Sequence, residues 1–348
     1  MFLDLSGWAA HRGTLVGAML RRTLLQALFA PRRRTPRAMA EQLAVPYGHS
    51  LDEAVYIPAV ALMGRLRLGA LDDVRRIAEP WVDGAKDSLA KATGSHLAGH
   101  LLFADLYERT RDARYLARVR AAADLGFNAD GSAKPAMPLH SEMSDAVFMA
   151  CPLLAKAGQL TGEQRYFDLL LRHFQFMEQL CRRPDGLYRH SPLCEAAWGR
   201  GNAFPVLGLA WALKAAPPTQ PSHAALRAAF VQLSDTLSRY QDRSGLWRQV
   251  VDHPSAYLEY SCTAMIGTAW QLGVQHGWLP ARTYRPLIGK AWDAIEARTS
   301  PAGELVDVCE STGKQPTLDD YLRRRAIRGI DPRGGAMGLL FATTRMVA

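Results

Sequence analysis

A repeat of roughly 50 residues constrains this chain more than any other feature. Leu101-Leu102-Phe103-Ala104-Asp105-Leu106-Tyr107 runs into Thr110-Arg111-Asp112-Ala113-Arg114-Tyr115. One period later Pro152-Leu153-Leu154-Ala155-Lys156-Ala157 runs into Thr161-Gly162-Glu163-Gln164-Arg165-Tyr166. Weaker echoes lie at Arg65–Leu71 and at Gly277-Trp278-Leu279-Pro280 leading to Tyr284. Each unit reads as an apolar helix rich in small residues, a polar turn, and an amphipathic helix starting near the tyrosine. Thr110 and Thr161 stand where N-caps are expected, with acidic residues soon after. Phe167, Leu170, Leu171, Phe174, Met177 and Leu180 keep a helical stripe, with Asp168, Arg172, His173 and Glu178 between them. Alternating β-branched runs bounded by turns are scarce.

Helical hairpins repeated in this way form either an open solenoid or a closed ring. Tryptophan- and glycine-bearing loops at helix starts, rather than polar capping repeats, favour closure. The expectation is an all-α (α/α)6 barrel, with its pocket where the inner helices begin. Residues 46–348 are expected to form this single domain, and residues 1–45 an extension that is flexible or acts as a lid.

Composition narrows the function. Of 348 residues, 48% are hydrophobic and 22% charged, an ordinary globular balance. The formal charge is +9 and arginine outnumbers lysine about five to one, which suits anionic ligands. The basic residues are scattered and match no nucleic-acid-binding signature, so nucleic acid is not an expected partner. The dense run Arg32-Arg33-Arg34 with Arg37 sits between prolines and reads as a solvated loop. Five widely spaced cysteines without a C-x-x-C pair argue against a zinc or redox motif and for a reducing, cytoplasmic compartment. The stretch near Arg21-Arg22 lacks the long apolar core and small-residue site of a secretion signal, and no window reads as a membrane span. Nucleotide, dinucleotide, serine-hydrolase and HExxH zinc motifs are missing.

Four polar stretches stand at helix ends. Asp145 opens the apolar run Ala146–Leu153. A carboxyl group in apolar surroundings keeps its proton to higher pH, which makes Asp145 the candidate proton donor; the competing reading is an N-cap. In Trp198-Gly199-Arg200-Gly201-Asn202, glycines let the backbone bend and Arg200 project a fork of donors suited to a carboxylate. Trp198 offers a face for a sugar ring, and the alternative is a structural arginine tying loops together. His190 ends the turn-rich Gly186–His190 and could bond a sugar hydroxyl or hold a water. Glu259 in Tyr257–Met265 either caps a helix or lines the pocket, and Trp247 adds another aromatic.

These stretches, in this order, resemble the unsaturated uronyl hydrolases, glycoside hydrolase families 88 and 105. Ser144–Met149 is similar to their W-x-D-x-x-[FY]-M stretch. The likeness continues through Gly186–His190, the W-[AG]-R-G-N segment at 198–202, Gly245-Leu246-Trp247, the Y-L-E-x-S-x-T-A-M block at 257–265, Gly303-Glu304-Leu305 and Ser311-Thr312-Gly313, with Tyr321 and Arg324 following. It implies an (α/α)6 barrel without metal or organic cofactor. The implied substrate is a small acidic oligosaccharide bearing a 4,5-unsaturated uronic acid at its nonreducing end. The implied reaction hydrates that sugar's vinyl ether: an aspartic acid protonates C4, water adds at C5, and the hemiketal collapses. Asp145 matches that aspartate, and His190, Trp198, Arg200, Asn202, Phe204, Trp247 and Glu259 match or neighbour pocket positions.

Several departures fall in the implied pocket. Met143 replaces the aromatic two residues before the aspartate. A second aspartate expected on the preceding hairpin gives way to Ser95, beside His96, and the upstream histidine-lysine pair is represented only by His140 and Lys134. The C-terminal His-Gly is Arg333-Gly334. Two alternatives remain open: another (α/α)6 enzyme, either a saturated uronidase or epimerase-like, and a non-catalytic binder of acidic glycans.

Overall fold

The computed structural model describes residues 33–346. Its inner helices are the ones the small, apolar repeats foretell. They are α2 (Tyr56–Arg67), α4 (Gly94–Gly99) continued past His100 by α5 (Leu101–Thr110), α7 (Ala146–Thr161), α9 (Gly199–Ala215), α11 (Tyr260–Gln275) and α14 (Pro332–Arg345). Each packs on the next: α2 on α4, α4 on α7, α7 on α9, α9 on α11, α11 on α14, and α14 back on α2. The ring is closed. Neighbours on both flanks and an outer layer behind leave almost nothing exposed, so in α9 every residue but Lys214 is buried. Close packing at the ring contacts needs small residues. A methyl group on Gly208 of α9 would come within 2.6 Å of the Phe148 Cα in α7.

Outer helices back the ring one by one. α3 (Leu71–Ala78) follows α2, α6 (Ala113–Asp124) follows α5, α8 (Gln164–Cys181) follows α7, α10 (Pro221–Ser238) follows α9, and α12 (Ala281–Ala297) follows α11. The sixth outer helix comes from the other end of the chain. α1 (Pro36–Leu43) lays buried Met39, Ala40 and Leu43 against α14. The compact unit therefore begins at Pro36, not at residue 46, and residues 36–45 are framework rather than lid. The extension expected over residues 1–45 otherwise lies, up to residue 32, outside the described residues.

The polar turns also differ in detail from expectation. Thr110 and Thr161 end their helices, each hydroxyl donating back to the carbonyl four residues earlier, Leu106 at 2.8 Å and Ala157 at 2.7 Å. Each hydroxyl then accepts the N–H two residues on, at 3.2 Å, across a left-handed Arg111 or Gly162. The caps proper are Asp112, which accepts from Arg114 N, and Glu163. His173, expected between the apolar positions of α8, is wholly buried.

Two small antiparallel sheets complete the described residues. β1 (Trp247–Arg248) pairs with β2 (Leu258–Glu259). β3 (Leu305–Cys309) pairs with β4 (Ala326–Gly329), and the short helix α13 (Leu318–Leu322) lies between them. The segment from β3 to β4 reaches the starts of α9 and α11, where its backbone is bonded to Arg200 and Glu259.

Candidate active site

Asp145 occupies the N-cap position of α7, yet its side chain caps nothing. Its carboxylate is 13% exposed, and Oδ1 stands 3.4 Å from His190 Nε2. Among the described residues neither atom has another hydrogen-bond partner, although both are buried. A carboxylate released from capping and aimed at an imidazole is arranged for proton transfer rather than for holding a helix.

Backbone bonds hold this pair in register. Ser144 N donates to His190 O at 2.9 Å, and the Ser144 hydroxyl donates to Gly201 O at 2.7 Å. His173 reaches in from α8, its Nε2 at 3.0 Å from Ala146 O and its Nδ1 accepting Met137 N–H at 3.2 Å. Burial pushes His173 down to about 4, so it is a neutral strut. The loop entering Asp145 carries Leu139, Ser141 and Glu142 at positive φ, a strained approach that Lys314 helps to fasten through Glu142 at 3.0 Å.

Tyr321 sets the imidazole. Its hydroxyl lies 2.8 Å from His190 Nδ1 and accepts the Gln315 N–H at 3.1 Å. That oxygen already accepts once, so its own proton can go to Nδ1, an arrangement that leaves the ring hydrogen on Nε2, facing Asp145. Gln249 Nε2 donates to Tyr321 O at 2.9 Å and anchors α13 in turn. Tyr321 was visible in the sequence only through family likeness; no local pattern marks it.

Tyr56, at the start of α2, had no sequence signal at all. Its ring packs on Phe204 at 5.5 Å and Phe148 at 6.0 Å, and its hydroxyl makes no hydrogen bond among the described residues. Burial drives its pKa up to about 12, with Arg200 opposing and Asp145 adding to the rise; Arg333 and Asp331 act on it in the same way. Four charges from three parts of the chain thus act on one hydroxyl at the ring's mouth.

Other expected site residues are bonded or packed into the framework. Arg200 spends Nη1 on Ser261 Oγ at 3.1 Å and Cys309 O at 2.7 Å, and Nη2 on Glu310 O at 2.8 Å. It ties loops together and does not present an open fork to a substrate. Burial opposes its charge, but Cys309, Glu259, Tyr56 and Asp145 outweigh that and raise its pKa. Trp198 is 2% exposed, with His190 at 4.5 Å and the Arg200 guanidinium at 4.6 Å, so its face is covered. The glycines beside Arg200 serve close approach rather than a bend. A methyl group on Gly199 would come within 2.8 Å of Arg248 O, and one on Gly201 within 3.1 Å of Ser144 Oγ.

Glu259 caps α11, accepting from Ser261 N, Ser261 Oγ and Cys262 N, and it also receives Cys309 N at 2.9 Å. Asn202 clamps Tyr188 N and O at 2.8 and 2.9 Å. Trp247 is fully buried, its Nε1 on Leu237 O at 2.8 Å and its ring against Trp270. Phe204 lies beneath Tyr56, not at the surface. His140 turns to Phe176 of the outer helix and accepts Glu142 N–H at 3.0 Å. Ser95 and His96 stand at the start of the neighbouring inner helix α4, where His96 Nδ1 accepts Thr93 N–H at 3.1 Å. Among the described residues no group of three or more His, Cys, Asp or Glu is placed to hold a metal.

Comparison with known proteins fits this geometry. The profile of Glycosyl Hydrolase Family 88 matches residues 68–347. An unsaturated rhamnogalacturonyl hydrolase of Bacillus subtilis is 30% identical over 186 residues, 51% of this chain and 52% of that protein. An unsaturated 3S-rhamnoglycuronyl hydrolase of Formosa agariphila is 25% identical over 169 residues, 43% of this chain and 45% of that one. These alignments span about half the length of the curated relatives. A solved structure from Salmonella enterica, described as a possible member of the GH105 family, superposes with a TM-score of 0.76 at 23% identity, covering 90% of this chain and 93% of its own.

Proposed function

The chain belongs to glycosyl hydrolase family 88, and from that premise we propose that it removes a 4,5-unsaturated uronic acid from the nonreducing end of lyase-generated oligosaccharides. One observation carries this reading: Asp145 is a lone uncommitted carboxylate at the ring's mouth, 3.4 Å from an oriented imidazole. Glu259 and Asp331, the other buried acids at this end, are spent as helix caps. An ordinary glycosidase needs two working carboxylates flanking the scissile bond, whereas hydration of a vinyl ether needs one acid that later acts as base.

Asp145 delivers its proton to C4, leaving positive charge shared between C5 and the ring oxygen. The resulting carboxylate, held by the His190 Nε2–H, takes a proton from the water that adds at C5. The hemiketal so formed opens to a ketone and releases the aglycone from C1. One water is consumed, and Asp145 ends protonated as it began. The Tyr56 hydroxyl, unpartnered beside Arg200 and Arg333, is the proposed contact for the uronate. Five unpaired cysteines support action in a reducing compartment.

Loss of the near-ultraviolet absorbance of the conjugated double bond tests the reading. Unsaturated disaccharides of pectic and glycosaminoglycan origin are offered beside their saturated counterparts. The expected result is bleaching of at least one unsaturated substrate with no cleavage of the saturated ones. Cleavage of a saturated uronide with the double bond untouched elsewhere would overturn it.

A further inference from the structure

The opposite end of the barrel carries a second, differently built cavity. It opens where the inner helices finish and has a volume of about 280 Å³, near the lower edge of the roughly 300–1,000 Å³ range of small-molecule sites. Its lining includes Trp211, which is 8% exposed, together with apolar side chains. Arg67, Arg109, Lys156 and Lys214 line it, and among the described residues its only acids are Asp105 and Glu108. Glu108 is neutralised by Lys156 at 2.6 Å, so one carboxylate is left to three cations. The adjoining groove, about 1000 Å³, shares Arg67, Arg109 and Lys214, adds Arg285 and Arg345, and has no carboxylate in its lining among the described residues.

Cations in the last turn of a helix are ordinarily explained by the helix dipole, and Arg67, Arg109, Lys214 and Arg345 all occupy such turns. That explanation covers the choice of residue type. It does not account for an apolar-lined recess among three of them, nor for the shortage of counter-charge there. Arg67 is pushed down by burial, which Asp105 opposes and nearby Arg109 reinforces. Lys214, though it reaches solvent, is likewise lowered by partial burial and by Arg67 and Lys156, with Asp105 and Glu108 opposing. A bound anion relieves both.

We propose that this recess is a second binding site, for a carboxylate-bearing sugar, with the sugar's apolar side against the exposed part of Trp211 and its carboxylate between Arg67, Arg109 and Lys214. The aromatic face suits the apolar side of a pyranose, and paired cationic donors suit a carboxylate. A chain continuing from that ring would run into the basic groove. The site lies away from Asp145 and stands independently of the activity proposed above.

Calorimetric titration with D-glucuronate tests it, since binding is read without turnover. Arg67 also bonds Thr344 Oγ1 at 3.0 Å across the ring, so the informative variant is Arg109→Gln with Lys214→Gln, both of which reach solvent. The expected result is glucuronate binding that weakens at least about tenfold in this double variant, at unchanged melting temperature, and persists in Asp145→Asn. D-galactose, which lacks the carboxylate, is expected not to bind. Undiminished binding in the double variant, or loss of binding in Asp145→Asn, overturns the proposal. Inorganic phosphate binding as tightly as glucuronate overturns the sugar assignment.

Discussion

Replacing Glu259 with glutamine separates a framework role from a substrate-binding one. The carboxylate is 1% exposed and accepts four hydrogen bonds: Ser261 N at 2.9 Å, Ser261 Oγ at 2.7 Å, Cys309 N at 2.9 Å and Cys262 N at 2.6 Å. The first three fall on Oε1 and the last on Oε2. A glutamine keeping its oxygen at Oε1 turns an NH₂ toward the Cys262 N–H, so two donors face each other. A stranded donor of this kind, once bonded to a charged acceptor, costs about 1.5–3 kcal/mol. Arg200, 3.9 Å away, also loses a buried counter-charge, and losing one partner of a buried pair costs up to about 3–5 kcal/mol. The backbone carbonyls on Arg200 moderate that, which brings the sum to about 4 kcal/mol. At this chain size the melting temperature is expected to fall by roughly 6 °C. Calorimetry reads the fall, and kinetics well below the transition is expected to return a KM within about twofold of wild type. An unchanged melting temperature together with a tenfold higher KM would refute the reasoning and return Glu259 to the substrate.

Three further perturbations probe the rest of the design. Tyr321→Phe removes the partner of His190 Nδ1 and is expected to lower kcat about tenfold or more with KM nearly unchanged; equal kcat would show that His190 needs no orienting group. Burial holds His100 and His173 at about 4, below the usual 6.5, so between those values the unfolded chain takes up protons that the folded chain refuses. Stability is therefore present above pH 6.5 and falls as pH drops toward 4, by roughly 3 kcal/mol for each histidine, and a melting temperature flat across that window contradicts the assignment. Gly208→Ala drives a methyl group to within 2.6 Å of the Phe148 Cα and is expected to cost about 1–3 kcal/mol of stability, measured by denaturant unfolding.

The architecture was legible because its cause is periodic. Small apolar helices alternating with amphipathic ones leave few choices beyond stacked hairpins, and the Tyr115 and Tyr166 echo marks the outer helices directly. The closing hairpin was illegible for a physical reason: α1 and α14 come from opposite ends of the chain, so no local repeat joins them. Asp145 and His190 stood out because polar residues at the mouth of apolar helices need a purpose, and the fold sets them 3.4 Å apart. What the same logic did not reveal at Arg200, Asn202 and Glu259 is that each bonds buried backbone groups in the converging loops. Tyr56 was invisible, since a tyrosine starting an apolar helix looks like core. Only the closed ring brings Asp145, Arg200, Asp331 and Arg333 around it.

The rate at which an unsaturated uronide loses its double-bond absorbance, compared between wild type and Asp145→Asn at equal substrate, bears most directly on the claim that this carboxyl group donates the proton. A drop of about 10²-fold or more in kcat, with the fold intact by melting temperature, is the predicted result. A variant that bleaches the substrate within tenfold of wild type contradicts it.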